Sequence, residues 1–233
     1  MHIPDYYLGE STIRAFWILM LIVWIYALNQ LRSLKRKRLL LVAICAALAF
    51  FITMFNVPIS GGIHGLVVGG TMIALMIGPW AAVIAISLAL GLQALILGYG
   101  GIWTYAANCF FMAFLTPFIG YHCYLYLSGE SDIKSIRRIM AVALASWLAL
   151  TASATFVGIV LGLQPILYAD GNGMPLHFPY SLSVTVPAMF LQYASIFGIV
   201  EAVLSALIFI YIRKKDASLF FRPQGDARGD WKH

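Results

Sequence analysis

Apolar runs of about 20 residues, the length that crosses a bilayer as a helix, recur along this chain and are parted by short polar, glycine-containing or proline-containing stretches. The runs predict helices near 12–31, 38–55, 63–77, 79–98, 101–127, 138–163 and 182–212, about seven in all. The third is short and meets the fourth at "IGPW", where Pro79 can open a helix because the first turn does not need its N–H. Residues 39–129 contain no Asp, Glu, Lys or Arg, as expected of a segment that crosses lipid several times. The pattern predicts an all-α polytopic membrane protein.

Composition agrees: 62% of the 233 residues are hydrophobic and 10% charged, and the mean hydropathy of +0.89 lies outside the range of soluble domains. The net charge of +6 would suit nucleic acid, but its placement points to topology instead. Arg32, Lys35, Arg36, Lys37 and Arg38 follow the first predicted helix, Lys134, Arg137 and Arg138 the fifth, and Arg213, Lys214 and Lys215 the seventh, while Arg14 alone lies on the other side. The positive-inside rule then puts the N-terminus outside and the C-terminus in the cytoplasm of a cell whose plasma membrane holds the protein. One transmembrane domain is expected over 1–213, beginning with a polar segment 1–5, followed by a polar tail over 214–233. No basic residue precedes Asp5 and the first apolar run is too long for a signal-peptide core, so Met1 and His2 are expected to persist.

That opening reads "MHIPD". A free α-amine, the backbone nitrogen of His2 and its imidazole can close adjacent chelate rings around one metal ion; the same residues also read as a frayed chain end. With the N-terminus outside, the same face collects the loop "NVPISGGIHG", the turn "GYGG" and the long loop "QPILYADGNGMPLHFPY", and with them His64 and His177. Glycine density in "SGGIHG" lets the backbone turn sharply and pack closely, which suits a loop tucked between helices.

Inside the spans, Gln93 and Gln192 are expected to hydrogen-bond between helices. Glu201 is different, since a carboxylate within a span is by default a functional-site candidate that must be paired or neutral. Cys45, Cys109 and Cys123 form no CxxC pair and read as small hydrophobes. An intramembrane enzyme using His177, Asp170 or Glu201 would be a different class of function. No H-E-x-x-H or G-x-S-x-G element is present to support it, so no catalytic residue and no organic cofactor are expected.

The segments "MHIPD", "FNVPISGG", "IGPWAAVIAIS", "GGIWTYAANCFFMAF", "PLHFPYSLSVTVPAM" and "GIVEA", in this order, resemble the CbiM/NikM-type substrate-binding membrane subunits of cobalt and nickel energy-coupling-factor transporters. The resemblance implies a seven-helix subunit that captures Ni(II) or Co(II) as transported substrate. It would work beside a transmembrane coupling subunit, two cytoplasmic ATPases and a small accessory membrane subunit. It implies a near-square-planar nitrogen set from Met1, His2 and a histidine of the glycine-rich loop. Here "GGIHGL" puts Leu66 at the aligned ligand position and His64 two residues earlier, so His64 is the candidate fourth ligand. Tyr99, Phe111 and Tyr193 also depart from the family pattern, whereas Asn108 and Glu201 match it. Asn108, Tyr99, His177 and Glu201 are expected to support these ligands or to stand in as alternative ones. The same fold with another ligand, or none, is the alternative these departures leave.

Overall fold

The computed structural model describes the chain except residues 33, 35, 55, 59–63 and 221–233, and the side chains of residues 56–58, 64 and 218. Six helices are long and apolar enough to span a membrane: α1 (Glu10–Arg32), α2 (Arg36–Met54), α4 (Pro79–Leu97), α5 (Tyr105–Ser128), α6 (Ile136–Leu167) and α7 (Leu182–Lys215). Between α2 and α4 lie two short antiparallel strands, β1 (Asn56–Pro58) and β2 (His64–Leu66), paired Asn56 to Leu66 and Pro58 to His64, and then the short helix α3 (Gly70–Ile77). The chain is thus an all-α membrane protein, with these seven helices and one small ribbon among the described residues.

The apolar runs locate six of the seven predicted helices to within a few residues. The third is corrected: 63–77 is not one helix, because the ribbon pairing and the glycines at 65 and 69 keep 64–69 out of a helix until Gly70, residue 63 lying outside the described residues. Gly69 takes φ +69°, a left-handed turn that starts α3. All eight residues of α3 are buried, so this irregular crossing is lined by protein and not by lipid.

The crossing is nonetheless complete. Arg38, near the start of α2, donates to the carbonyl of Met76 at the end of α3 at 3.4 Å. Near the end of α2, the carbonyl of Phe50 and the hydroxyl of Thr53 accept from Gln93, late in α4, at 3.0 and 2.8 Å. By Ile77 the chain is therefore back at the end from which α2 started, and the two ends of the bundle keep the parity that seven crossings require. The Gln93 bonds are the interhelical tie expected of that residue.

Three helices carry a π-turn, at Gln93–Leu97, Phe110–Leu115 and Tyr193–Phe197. In α5 the π-turn ends at Thr116, whose backbone N–H and hydroxyl both donate to the Phe111 carbonyl, the hydroxyl at 2.9 Å, and the next residue, Pro117, has no N–H to give. At the far end of α7 a short turn at Ala217–Leu219 folds Phe220 back onto Phe209, ring centroids 4.8 Å apart.

Candidate metal centre

The first nine residues precede α1 and thread into the bundle. Met1, His2 and Ile3 are buried, an unusual place for a chain end, and each polar backbone group carried inward needs a partner. Asn108 supplies two: its Oδ1 accepts from the Ile3 N–H at 2.8 Å and its Nδ2 donates to the Ile3 carbonyl at 3.1 Å. The side-chain amide pairs with the peptide as a neighbouring strand would. The Thr104 hydroxyl adds a bond to the same carbonyl at 2.7 Å. Thr104 and Asn108 stand four residues apart at the start of α5, so one helix face presents both.

Pro4 has no N–H to satisfy, and Asp5 fixes the segment from its other side. The Asp5 carboxylate accepts from the backbone N–H groups of Ile102, Trp103 and Thr104 at 3.0–3.1 Å. These are donors at the entry to α5 that lack helical partners, and a negative charge there is favoured. Gly101 is required beside it, because a side chain would collide with Asp5. Further along, Gly9 donates to Gln164 Oε1 at 2.9 Å, and the Tyr168 hydroxyl bonds Ser11 and Thr12.

The Met1 amine and the His2 main chain and ring therefore occupy one buried place, as the opening sequence suggests. Burial pushes the pKa of the Met1 amine well below 8.0, since a charged ammonium loses its hydration there. That direction favours the neutral amine, the form that ligates metal. Gly100, with φ +72°, brings the backbone of the "GYGG" turn against this place: a Cβ there would stand 2.8 Å from Asn108 Nδ2 and 3.2 Å from His2 Cδ2. The Tyr99 ring lies with its centroid 6.4 Å from that of His2. Phe111 is buried against Phe16 and Phe110.

The other candidates divide. His177 donates from Nδ1 to the Tyr6 carbonyl at 3.0 Å and stands edge-on to Tyr168; it straps the N-terminal segment four residues beyond His2. The backbone of His64 lies in β2, and strand alternation puts positions 64 and 66 on one face. Its side chain lies outside the described residues. Leu66 is buried and donates its N–H to the Tyr193 hydroxyl at 3.3 Å. Glu201 has its partners in the same loop: Oε2 accepts from Val68 at 2.9 Å and Gly69 at 3.0 Å. Asp5, Thr104, Gln164 and Tyr193 hold the site and were not among the sequence candidates. Thr104 and Asn108 at i, i+4 carry the one local signal that could have added a partner.

Among the described residues no three His, Cys, Asp or Glu gather as a conventional metal cluster. A chelate built from an amine, a main-chain nitrogen and one imidazole leaves no such signature.

The family model CbiM, "Cobalt uptake substrate-specific transmembrane region", matches residues 2–219. The probable fused nickel transport protein LarMN of Lactiplantibacillus plantarum is 41% identical over 92% of this chain and 65% of its own length, so the chain spans under two thirds of that relative. A Methanocaldococcus jannaschii relative with the provisional name metal transport protein MJ1569 is 35% identical over 98% of this chain and 99% of its own. The crystal structure of a truncated transition metal transporter superposes with a TM-score of 0.87 at 41% identity, covering 92% of this chain and 99% of that one.

Proposed function

We propose that this chain, which belongs to the CbiM family of cobalt-uptake transmembrane regions, is the substrate-capture subunit of an energy-coupling-factor transporter and takes up Ni(II) or Co(II). The observation that carries the reading is the burial of the Met1 amine beside buried His2, fixed by the two-way clamp of Asn108 on Ile3. A terminus held by so many bonds is not a frayed end.

The donor set is the Met1 amine, the His2 backbone nitrogen after loss of its proton, the His2 imidazole and the imidazole of His64 in place of Leu66. Planar nitrogen ligation with a main-chain donor suits Ni(II) better than Zn(II) or Mg(II). Nickel is the ion in the name of LarMN, and cobalt the ion in the family's description. The clamps on Ile3 and Asp5 hold the segment that carries Met1 and His2, so little ordering of those donors remains to be done when the ion arrives. The N-terminal end faces outward and the arginine-rich end the cytoplasm, in one transmembrane domain over 1–213 with a polar tail over 214–233. There a coupling subunit, two ATPases and a small accessory membrane subunit would drive release. The chain itself performs no chemistry on a bond.

Titration of the metal-stripped protein in detergent with Ni(II) should give one ion per chain and the absorption of a planar nickel–nitrogen complex. Absence of saturable binding by both Ni(II) and Co(II) would reject the reading.

A further inference from the structure

Met1 and His2 lie in a closed place, almost without exposure, so an ion from solution reaches them only if something that covers them moves. The N-terminal segment is poorly suited to move, being bonded at Ile3, Asp5, Tyr6 and Gly9. The turn over residues 98–101 is different. It carries Tyr99, whose half-buried ring lies beside the ring of His2, centroids 6.4 Å apart, and so reaches from the surface to the buried imidazole. Glycines on both sides of it take left-handed backbone, Gly98 at φ +67° and Gly100 at φ +72°, a freedom that other residues lack. The two glycines are not equivalent. A Cβ on Gly100 would collide with Asn108, whereas one on Gly98 would meet nothing within 4 Å. Leu95 and Ile96, just before, are exposed. The N–H groups of Gly98 and Tyr99 share one acceptor, the Gln93 carbonyl, the second at 3.2 Å. The turn is therefore a strap, fixed to α2 through Gln93 at one end and to Asp5 through residues 102–104 at the other, with its tyrosine in the loosely held middle.

We propose that Tyr99 is the gate of the metal site: its ring shields the His2 imidazole from water, and an ion enters or leaves when the ring swings aside about Gly98. This rests on the reading that Met1 and His2 bind Ni(II), and it holds whatever completes the donor set. The swing leaves the bonds to Ile3 and Asp5 as they are, so the donors stay in place while the path opens. A gate raises the barrier in both directions alike. Its removal alters the rates of capture and release and leaves their ratio, the affinity, nearly unchanged. A residue that merely supports the chelate behaves otherwise, changing release and affinity together.

The test measures Ni(II) exchange by stopped flow on the full chain in detergent. Capture is read from the rate against Ni(II) concentration, release from the rate after excess chelator is added, and affinity separately by isothermal titration. Tyr99→Ala removes the ring, Tyr99→Phe keeps it without the hydroxyl and Tyr99→Trp enlarges it. In Tyr99→Ala both rates should rise by roughly tenfold while affinity stays within about threefold. Tyr99→Phe should exchange at close to the unaltered rates, because the ring is the barrier, and Tyr99→Trp should slow both directions. Unchanged rates in folded Tyr99→Ala overturn the proposal. So does faster release with unchanged capture and weakened affinity, which would make Tyr99 a support for the bound ion. Exchange in Tyr99→Phe as fast as in Tyr99→Ala overturns it too, by assigning the barrier to the hydroxyl. Should Tyr99→Ala fail to fold, Tyr99→Trp decides: slower exchange both ways supports the gate, and unchanged exchange removes it. If the unaltered chain binds no Ni(II), the transport reading falls and the gate with it; if it binds and none of the variants alters its rates, only the gate falls.

Discussion

The two ends of the bundle hold their irregular backbone with different chemistry. At the N-terminal end a carboxylate and side-chain amides grip N–H groups, Asp5 three at the start of α5, Asn108 that of Ile3 and Gln164 that of Gly9, while the uncharged donors of Asn108 and Thr104 take the Ile3 carbonyl. At the other end, guanidinium groups grip carbonyls: Arg38 on Met76, Arg137 on Leu127, Arg138 on Ser131 and Arg213 on Ile133. Both solutions satisfy backbone that helices leave unpaired, yet they leave different fields behind. The arginine end is positive, and those side chains cap carbonyls. Arg14, the one cation among the basic residues of the N-terminal end, sits on an exposed pair with Glu10. Among the described residues, that end sets no cluster of basic side chains against the divalent ion proposed to bind there. Loop-holding by carboxylate and carboxamide, in place of arginine, suits the cation site proposed at that end.

The contrast predicts unequal consequences. The largest effect is expected at Asn108, where Asn108→Leu removes both arms of the clamp on Ile3. The orphaned Ile3 N–H should cost about 1–3 kcal/mol of stability, and Ni(II) affinity should drop by roughly 10–100-fold as the chelate loses its fixed position. Isothermal titration with a parallel thermal melt separates the two.

A smaller effect is expected from pH. The folded amine has a pKa well below 8.0, so between that lowered value and 8.0 the unfolded chain binds the extra proton. Metal-free stability should consequently fall as pH drops below 8.0 and level off above it. Acetylating the terminus should flatten that slope. Ni(II) binding should weaken in the same direction, because protons compete for the amine, the main-chain nitrogen and the imidazoles together.

The smallest effect belongs to the other end. Arg213→Gln removes one grip on Ile133 and should cost about 1 kcal/mol or less, with Ni(II) affinity unchanged. A clear loss of affinity there, in protein that remains folded, would mean that the two ends are coupled in the isolated subunit.

How far these features could be read from sequence follows from how local each one is. Apolar runs announce spans wherever about 20 residues continue, and they fail at 63–77, where the apolar content is right but glycines and a strand pairing decide the backbone. The chelate in "MHIPD" is legible because its atoms are adjacent in the chain. What holds it is not: Asn108 reaches Ile3 across 105 residues and Glu201 reaches Val68 across 133. A buried polar residue declares that it has a partner, but a backbone N–H carries no residue identity by which the sequence could name it. Tyr193 is harder still, because a π-turn there re-phases the helix.

Whether the terminal amine is itself a ligand can be decided by moving it. One uncleaved residue placed before Met1 turns the amine into an amide and carries the new amine out of the chelate, while leaving His2, His64 and every clamp residue in the sequence. A residue added after His233 changes nothing near the site. Metal content per chain, measured on both forms purified in the same detergent after Ni(II) loading, should be close to zero for the first and one for the second. Equal, stoichiometric nickel in both would contradict an N-terminal chelate and require a site elsewhere in the bundle.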